Sequence, residues 1–313
     1  MKKISYTILG VAIFCLSACN ETKLSQYYQA FDTLVTITTY HNNKEEQKDI
    51  KNIILNYHSL FDKYDETSDL YKVNHTNEKT LVSEELATII AKALDMTKIS
   101  TYFNPLVGTL SDAWKDSLKE NKVLDNDSIT TYLNDIKNSN VTVDGNYVTR
   151  TGDATLDFGG FAKGYVANQL IKYAKKQDFN DYIFDLGSST VALGSKNKNQ
   201  EFNVGLKYLD NAYLKLKNTT ISTSAIFEQY TEIDGIKYSH IINPNNGSAT
   251  SLYDFVVVIH EDGVVSDTLS TALMNESETT TFKNLETELG VKLLVGKDNQ
   301  IVYQTEGLDV LYH

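Results

Sequence analysis

Two spacings of apolar residues occur along the chain, and together they predict a mixture of strands and helices. Residues 30–40 alternate apolar and polar positions, as a strand with one buried face does. Apolar residues recur at helical spacing over 50–61, 86–94 and 129–136. The second of these helices has Ser83 as its predicted N-cap, followed directly by two acidic residues that suit a first turn.

Turn residues punctuate the second half and predict short strands. Glycine separates the paired strands in most cases, and an Asp-Gly pair is a strong hairpin signal. The predicted segments are hairpins at 141–149 and 230–242, a strand-turn-strand unit at 182–194, a buried strand at 254–260, a helix through 266–274, a helix capped by Gly290, and two final strands. Because strands and helices do not alternate regularly, we expect an α+β fold with mixed, largely antiparallel sheets and packed helices.

Composition places the chain among globular proteins with a sizeable core. Of its 313 residues, 41% are hydrophobic and 22% are charged, with only two prolines. The formal net charge is −12. An acidic chain repels nucleic-acid phosphates, so nucleic-acid binding is not expected, and a phosphate ligand requires a local cation, a helix N-terminus or a metal.

The N-terminus has the layout of an export signal. Lys2 and Lys3 precede an apolar run over 8–16, which is too short to span a bilayer, and Leu-Ser-Ala-Cys ends at Cys19. The small residue Ala18 directly before Cys19 resembles the bacterial lipoprotein box, and that resemblance implies lipidation of Cys19. We therefore predict a signal peptide over 1–18, a lipidated tether over 19–29 and one domain over 30–313. Such a protein is anchored to the bacterial membrane by lipid, outside the cytoplasm. The alternative is an ordinary cleaved signal with a coincidental cysteine.

The stretch DFGGFAKGYVANQ, residues 157–169, carries two glycines and a lysine between a strand-like run and a helix-like run. Gly159 and Gly160 permit close backbone approach, and the helix N-terminus with Lys163 suits a diphosphate. The spacing matches neither the dinucleotide fingerprint nor the P-loop. On these residues alone, a plain strand-to-helix turn with a solvated lysine remains the alternative.

Two further stretches carry candidate chemistry. Asp267 and Thr271 are four residues apart, so they share a helix face and offer hard oxygen ligands to Mg²⁺. An acidic residue near a helix N-terminus beside a threonine that faces a neighbour is the commoner explanation of such a pair. His240 ends a strand before a turn, where a general base or a structural histidine are both possible.

Aromatic residues cluster around the turn at 101–114. Tyr102, Phe103 and Trp114 provide rings that suit a flat heterocycle, although core packing is the commoner role of such rings.

Six stretches follow one another in an order that resembles the ApbE family of flavin transferases, over nearly the whole chain after the tether. They are FDKYDETSDLYKVN (61–74), TYFNPLVGTLSDAW (101–114), DATLDFGGFAKGYVANQL (153–170), YIFDLGSSTVALG (182–194), ISTSAIFEQYTEIDGIKYSHIINPNNG (221–247) and SDTLSTALM (266–274). The resemblance implies a Mg²⁺-dependent enzyme that cleaves FAD, attaches FMN by a phosphoester bond to a Thr or Ser of an exported partner protein, and releases AMP.

The resemblance also implies roles for individual residues. Asp267 and Thr271 would be metal ligands, together with the backbone carbonyl of Gly160. His240 would be the base or a phosphate contact, and Lys163 would contact FAD. The other FAD contacts implied are Phe31, Tyr64, Tyr102, Phe103, Asn104 and Ile241.

The chain departs from the family pattern at three places. Asn104 and Asn168 stand where Asp is usual, and Ser188-Ser189 replace a Gly-Gly pair. Two other functions stay open: an FAD pyrophosphatase that releases FMN and AMP, and a flavin-binding surface lipoprotein without catalysis. The sequence does not encode the identity of the acceptor protein, the oligomeric state or the type of cell envelope.

Overall fold

The computed structural model describes residues 23–196 and 199–313. Eleven of the sixteen strands of the described residues lie in the second half of the chain. In chain order they are β1 (Leu24–Ala30), β2 (Thr33–Thr39), β3 (Lys79–Leu81), β4 (Asn140–Asp144), β5 (Tyr147–Thr151), β6 (Tyr182–Leu186), β7 (Thr190–Leu193), β8 (Phe202–Gly205), β9 (Ala212–Leu216), β10 (Thr219–Ala225), β11 (Tyr230–Ile233), β12 (Ile236–Ser239), β13 (Phe255–His260), β14 (Lys292–Lys297), β15 (Gln300–Gln304) and β16 (Leu311–Tyr312).

Helices lie mainly in the first half and around the central strands. They are α1 (Lys44–Leu60), α2 (Asp69–Asn74), α3 (Glu84–Met96), α4 (Gly108–Lys119), α5 (Asn126–Asn138), α6 (Ala162–Lys176), α7 (Gly263–Ala272) and α8 (Thr279–Leu289). The predicted caps are confirmed: Ser83 accepts a hydrogen bond from the Leu86 amide at the start of α3, and Gly290 ends α8 with a φ of 71°.

An eight-stranded antiparallel sheet, the main sheet, forms the centre of the molecule. Its strand order is β1-β2-β6-β7-β10-β13-β14-β15, and each neighbouring pair is antiparallel. Two three-stranded sheets, β3-β5-β4 and β16-β9-β8, and the hairpin β11-β12 complete the strand pairing. The expectation of an α+β fold with largely antiparallel sheets is therefore confirmed.

The two faces of the main sheet bury different cores. Along β13, Val256 and Val258 face a large core shared with the helices, whereas Phe255, Val257 and Ile259 face a smaller core. The smaller core is closed by residues of β8 and β9. Because side chains alternate along a strand, a continuous run of five apolar residues serves both cores at once.

Two local expectations are wrong. Residues 24–29, which we placed in a polar tether, pair with β2 as the edge strand β1, and Tyr28 packs against the large core. Residues 153–158 run outside the sheets instead of forming a strand, because their backbone bonds to other groups. The Asp157 amide donates to the Pro105 carbonyl at 2.8 Å, and the Leu156 amide donates to the Asn74 side chain at 2.8 Å.

The predicted signal peptide and the lipidated Cys19 lie outside the described residues. Within the described residues, none of the helices is long and apolar enough to cross a membrane.

Candidate active site

Two glycines bring α6 and α7 into close contact. A Cβ at Gly164 would lie 2.1 Å from the Gly263 carbonyl oxygen and 2.6 Å from the Cβ of Asp267. A Cβ at Gly263 would lie 2.5 Å from the Gly164 carbonyl oxygen. Since no side chain fits either position, the backbones touch, and Asp267 on α7 reaches the first turn of α6.

Asp267 is a buried carboxylate held by neutral donors. The backbone amide of Gly164 donates to Oδ2 at 2.8 Å, and the Thr190 hydroxyl donates to Oδ1 at 3.0 Å. The residue is 4% exposed. Burial raises the pKa of Asp267, and the nearby Lys163 charge and these hydrogen bonds oppose that rise. Loss of hydration thus favours the neutral acid, and the Lys163 charge and the hydrogen bonds favour the carboxylate.

Gly160 and Thr271 meet beside this carboxylate. A Cβ built at Gly160 would lie 3.0 Å from both Oγ1 and Cγ2 of Thr271. The Thr271 hydroxyl is also 3.2 Å from the Ser224 hydroxyl on β10. Thr271 follows Asp267 by one helical turn, so the three predicted metal-binding residues converge at the start of α6.

Lys163 lies close enough to both Asp267 and His240 for its charge to act on them. The Lys163 charge favours the ionised form of Asp267 and the neutral form of His240. His240 is exposed at the surface, but the atoms packed around its ring still reduce its hydration, which is the larger cause that lowers its pKa, and the Gln229 carbonyl, 3.3 Å from Nδ1, opposes this. An imidazole that is neutral near pH 7 can accept a proton. The next residue, Ile241, is buried.

Residues 102–104, the 102–104 strip, lie against the stretch 157–169, here called the glycine segment. The Phe103 ring is buried and stacks on Phe161 at 6.5 Å, and Tyr102 packs partly buried against the same core. Asn104 accepts a hydrogen bond from the Leu106 amide at 2.9 Å. Phe103 thus packs in the core, and the side chain of Asn104 shapes its own turn.

Tyr64, Phe31 and Trp114 differ in their relation to the site. The exposed Tyr64 donates to Asp112, and Lys63 bridges Asp112 and Asp157 at 2.9 and 2.8 Å, which ties Tyr64 to the glycine segment. Phe31 instead lies edge-on to His58 of α1, at 5.6 Å between ring centroids. Trp114 is a core residue that stacks on Tyr238 and donates to the Gly247 carbonyl.

A model of the ApbE family matches residues 31–295. The chain belongs to the ApbE family. An FAD:protein FMN transferase of Klebsiella pneumoniae (strain 342) is 26% identical over 254 residues, which is 76% of this chain and 78% of that protein. Another, from Treponema pallidum (strain Nichols), is 26% identical over 216 residues, 61% of this chain and 60% of that protein. The crystal structure of an ApbE protein from Thermotoga maritima superposes with a TM-score of 0.79 at 25% identity, covering 93% of this chain and 96% of that one.

Two departures from the ApbE pattern lie where the residue affects the backbone next to the site. The Asn168 amide donates to Asp262 at 2.7 Å, and its oxygen accepts from the Gly263 amide at 2.7 Å, so Asn168 joins α6 to the start of α7. Ser188 has a φ of 62° in the β6–β7 turn, a conformation that favours glycine. Both departures act on backbone geometry near the site.

A set of hydroxyl groups around Asp267 was not foreseen from the ApbE-like motifs. Thr190 on β7, which holds Asp267, accepts from Ser222 on β10, and Ser222 lies 2.9 Å from Ser266 on α7. These residues are distant in sequence: the pairing of β7 with β10 brings Thr190 to Ser222, and the packing of α7 on β10 brings Ser266 to them. A buried hydroxyl on an otherwise apolar strand was the available signal.

Clusters of acidic, histidine or cysteine side chains, which often hold metal ions, are not found among the described residues. Within residues 23–196 and 199–313, no group of three or more His, Cys, Asp or Glu side chains lies together in a way that could hold a metal. The convergent oxygens come from one carboxylate, one hydroxyl and the glycine backbone.

Proposed function

We propose that this protein is an FAD:protein FMN transferase. The observation that carries the proposal is the convergence of Gly160, Asp267 and Thr271 beside Lys163 and His240. It occurs in a member of the ApbE family whose relatives in two other bacteria carry that activity in their names.

A magnesium ion fits this group of residues. Carboxylate, hydroxyl and carbonyl oxygens are the ligands that Mg²⁺ takes, and it needs only one or two protein carboxylates when phosphates and waters complete its shell. A cation at the oxygens of Asp267 would offset the cost of burying this carboxylate. Asp267, Thr271 and the Gly160 carbonyl would hold the ion. When bound, Mg²⁺ would neutralise charge on the diphosphate of FAD.

The transfer itself needs a base, a held diphosphate and an acceptor hydroxyl. The Thr or Ser oxygen of the acceptor attacks the phosphorus of the FMN half, and a new phosphoester O–P bond forms. The P–O bond to the AMP half breaks, and AMP leaves with the bridging oxygen. Neutral His240 accepts the hydroxyl proton, and the Lys163 ammonium balances phosphate charge.

FAD would extend from this point along the surface that contains the 102–104 strip. The proposed contacts are Tyr64, Tyr102 and Asn104, together with Phe31, Phe103 and Ile241, of which the last two are buried in this structure. The link from Tyr64 through Lys63 to Asp157 supports a continuous wall on that side.

The decisive test measures covalent transfer. Purified protein, FAD, Mg²⁺ and an exported candidate acceptor are incubated, and mass spectrometry reports the acceptor. We expect a mass gain of one FMN, its loss with Asp267→Ala, and its retention with the control Asp127→Ala, an exposed carboxylate on α5. Multiple-turnover release of FMN and AMP at a rate that the acceptor protein does not change would instead identify a pyrophosphatase. Tight FAD binding without turnover would identify a flavin-binding protein.

Metal binding has its own readout. Mg²⁺ should raise the unfolding temperature of the unsubstituted protein and should not do so for Asp267→Asn, because a ligand that binds only the folded state stabilises it. An equal shift in both proteins would place the ion elsewhere.

We further propose that Cys19 carries a lipid and that the enzyme acts outside the cytoplasm on an exported acceptor. The basic, apolar and Leu-Ser-Ala-Cys segments support this. Cells fed labelled palmitate should label the protein, and Cys19→Ala should remove the label. Label retained in that variant would refute the assignment.

A further inference from the structure

A groove of about 690 Å³ lies on the face of the main sheet opposite to α7. Its floor is formed by β6 and β7 through the half-buried Ile183 and Val191, and the more deeply buried Ile221 of β10 and Val257 of β13 also line it. All four residues of β8 line its wall. A volume of this size suits a bound ligand or an extended peptide segment.

Strand β8 presents an edge to this groove. Among the described residues it pairs with β9 and is the last strand of its sheet. The Leu206 amide bonds to the Ala212 carbonyl, so by antiparallel alternation Phe202 and Val204 also face β9. The backbone groups of Asn203 and Gly205 therefore point to the outer edge. Such an edge is a template for another strand.

The groove opens at the end of the main sheet that carries the active site. Ser188, in the β6–β7 turn, lines the groove, and Thr190, two residues later, donates to Asp267 on the other face. Thr223 also lines the groove, and its neighbour Ser224 on β10 contacts Thr271. A chain that leaves the groove past Ser188 thus reaches the reacting groups around the end of the sheet.

Exposed aromatic residues continue the groove toward His240. Tyr208 lines the groove and lies 5.9 Å from the Phe227 ring, which is 6.4 Å from Tyr230. Phe227 and Tyr230 are 39% and 45% exposed. Tyr208 also donates to Glu228, whose charge acts on His240. Large exposed rings at the mouth of a groove favour contact with another polypeptide.

We propose that this groove binds the flavin-acceptor polypeptide as an extended strand added along β8, with its Thr or Ser side chain carried past Ser188 to His240. The inference rests on the proposed transferase function, which requires a protein acceptor and assigns the FAD contacts to other residues. Backbone pairing with β8 gives affinity with little dependence on sequence, and the aromatic rings at the mouth supply contact area. The acceptor and FAD thus approach from different sides.

Gly205 offers a clean test of this docking mode. A Cβ built there meets nothing within 4 Å, and its φ is not in the left-handed region, so Gly205→Phe should fold and place a bulky ring beside the outer edge of β8, where the added strand would lie. Thr142→Phe is the matched control, because it adds the same bulk to an exposed position of β4, the edge strand of the other three-stranded sheet. Thermal unfolding verifies that both variants fold.

The probe is a library of twelve-residue peptides randomised around a central Thr, and the readout is FMN fluorescence attached to peptide. We expect Gly205→Phe to lower the rate of incorporation at least tenfold at limiting peptide, with FAD affinity unchanged, and Thr142→Phe to match the unsubstituted protein. In a peptide that reacts, N-methylation of the amides that face β8 should abolish incorporation. N-methylation of the intervening amides, which face away, should not.

The outcomes separate the two proposals. Equal incorporation by Gly205→Phe and the unsubstituted protein would overturn the docking groove and leave the transferase function intact. No incorporation by the unsubstituted protein, with peptides or with a whole acceptor, would overturn the transferase function and the groove's assignment with it.

Discussion

Gly164→Ala has two opposing effects on stability, one from helix propensity and one from the contact between α6 and α7. Gly164 lies in the first turn of α6, where alanine is the better helix former by about 1 kcal/mol. A Cβ added at this position, however, would lie only 2.1 Å from the Gly263 carbonyl oxygen. Helix propensity predicts a more stable protein, and the helix contact predicts a less stable one.

The contact should prevail by about 2 kcal/mol. Ordinary contacts to a Cβ begin near 3.4 Å, so α6 and α7 must separate by about 1 Å, and the opposing atoms are backbone that cannot rotate away. Overpacking of this kind costs about 1–3 kcal/mol, and the upper value applies here because the backbone must move. After the gain in propensity, about 2 kcal/mol of destabilisation remains, which corresponds to an unfolding temperature about 4–8 °C lower.

Separation of the helices should also damage the active site. The Gly164 amide donates to Asp267 at 2.8 Å, so moving α6 lengthens that hydrogen bond and shifts Gly160 relative to Thr271. We therefore expect weaker Mg²⁺ binding together with the loss of stability. Thermal unfolding followed by circular dichroism and calorimetric titration of Mg²⁺ measure the two effects.

Gly205→Ala is the control, because the same atom added there meets nothing within 4 Å. It should leave the unfolding temperature within about 1–2 °C of the parent, as uncontacted surface changes do. If Gly164→Ala proved as stable as the unsubstituted protein, the account of the α6–α7 contact would be wrong.

Three other substitutions test separate parts of the site. His240, with its pKa lowered by loss of hydration and by Lys163, should give kcat/KM an acidic limb below pH 6.5 that His240→Gln removes; a limb centred above pH 6.5 would contradict its role as base. Ser188→Gly should raise the urea midpoint, with a gain of up to about 1 kcal/mol, because φ is 62° at this residue; a lower midpoint would show that its side chain matters more. Asn168→Asp should lower the free energy of unfolding by about 1–3 kcal/mol at pH 7, because its carboxylate would face that of Asp262, and by less near pH 4. A difference in unfolding temperature from the unsubstituted protein that is the same at both pH values would refute this pairing.

The sequence predicted elements well where apolar spacing or turn chemistry was strong. Helices α1, α3 and α5 and the hairpins at Gly145 and Gly235 follow from such local signals. Helix α4 was not predicted, because it begins at Gly108 without a side-chain cap. Strand β1 was taken for a tether because its polar residues gain their order from pairing with β2, which no local pattern reports.

For the site, the motifs led to residues that do converge, and they failed to show what supports them. The resemblance to the ApbE family gave Gly160, Asp267 and Thr271 as a set, and the contact of Gly164 with Gly263 explains how separate motifs meet. The role of Thr190 depends on strand register, which a single sequence does not fix.

The polar side of α7 explains why Asp267 points where it does. This helix is buried along nearly its whole length, so hydrophobicity alone would let it rotate about its axis. Ser266 pairs with Ser222 and Ser270 pairs with Ser224, each at 2.9 Å, on alternate positions of β10. A rotation would break both serine pairs, each a hydrogen bond that contributes about 0.5–1.5 kcal/mol, and would separate Asp267 from Thr190. The serine pairs therefore fix the orientation of α7, and Asp267, one residue after Ser266, is held toward Gly164 and Thr190 before any ligand binds.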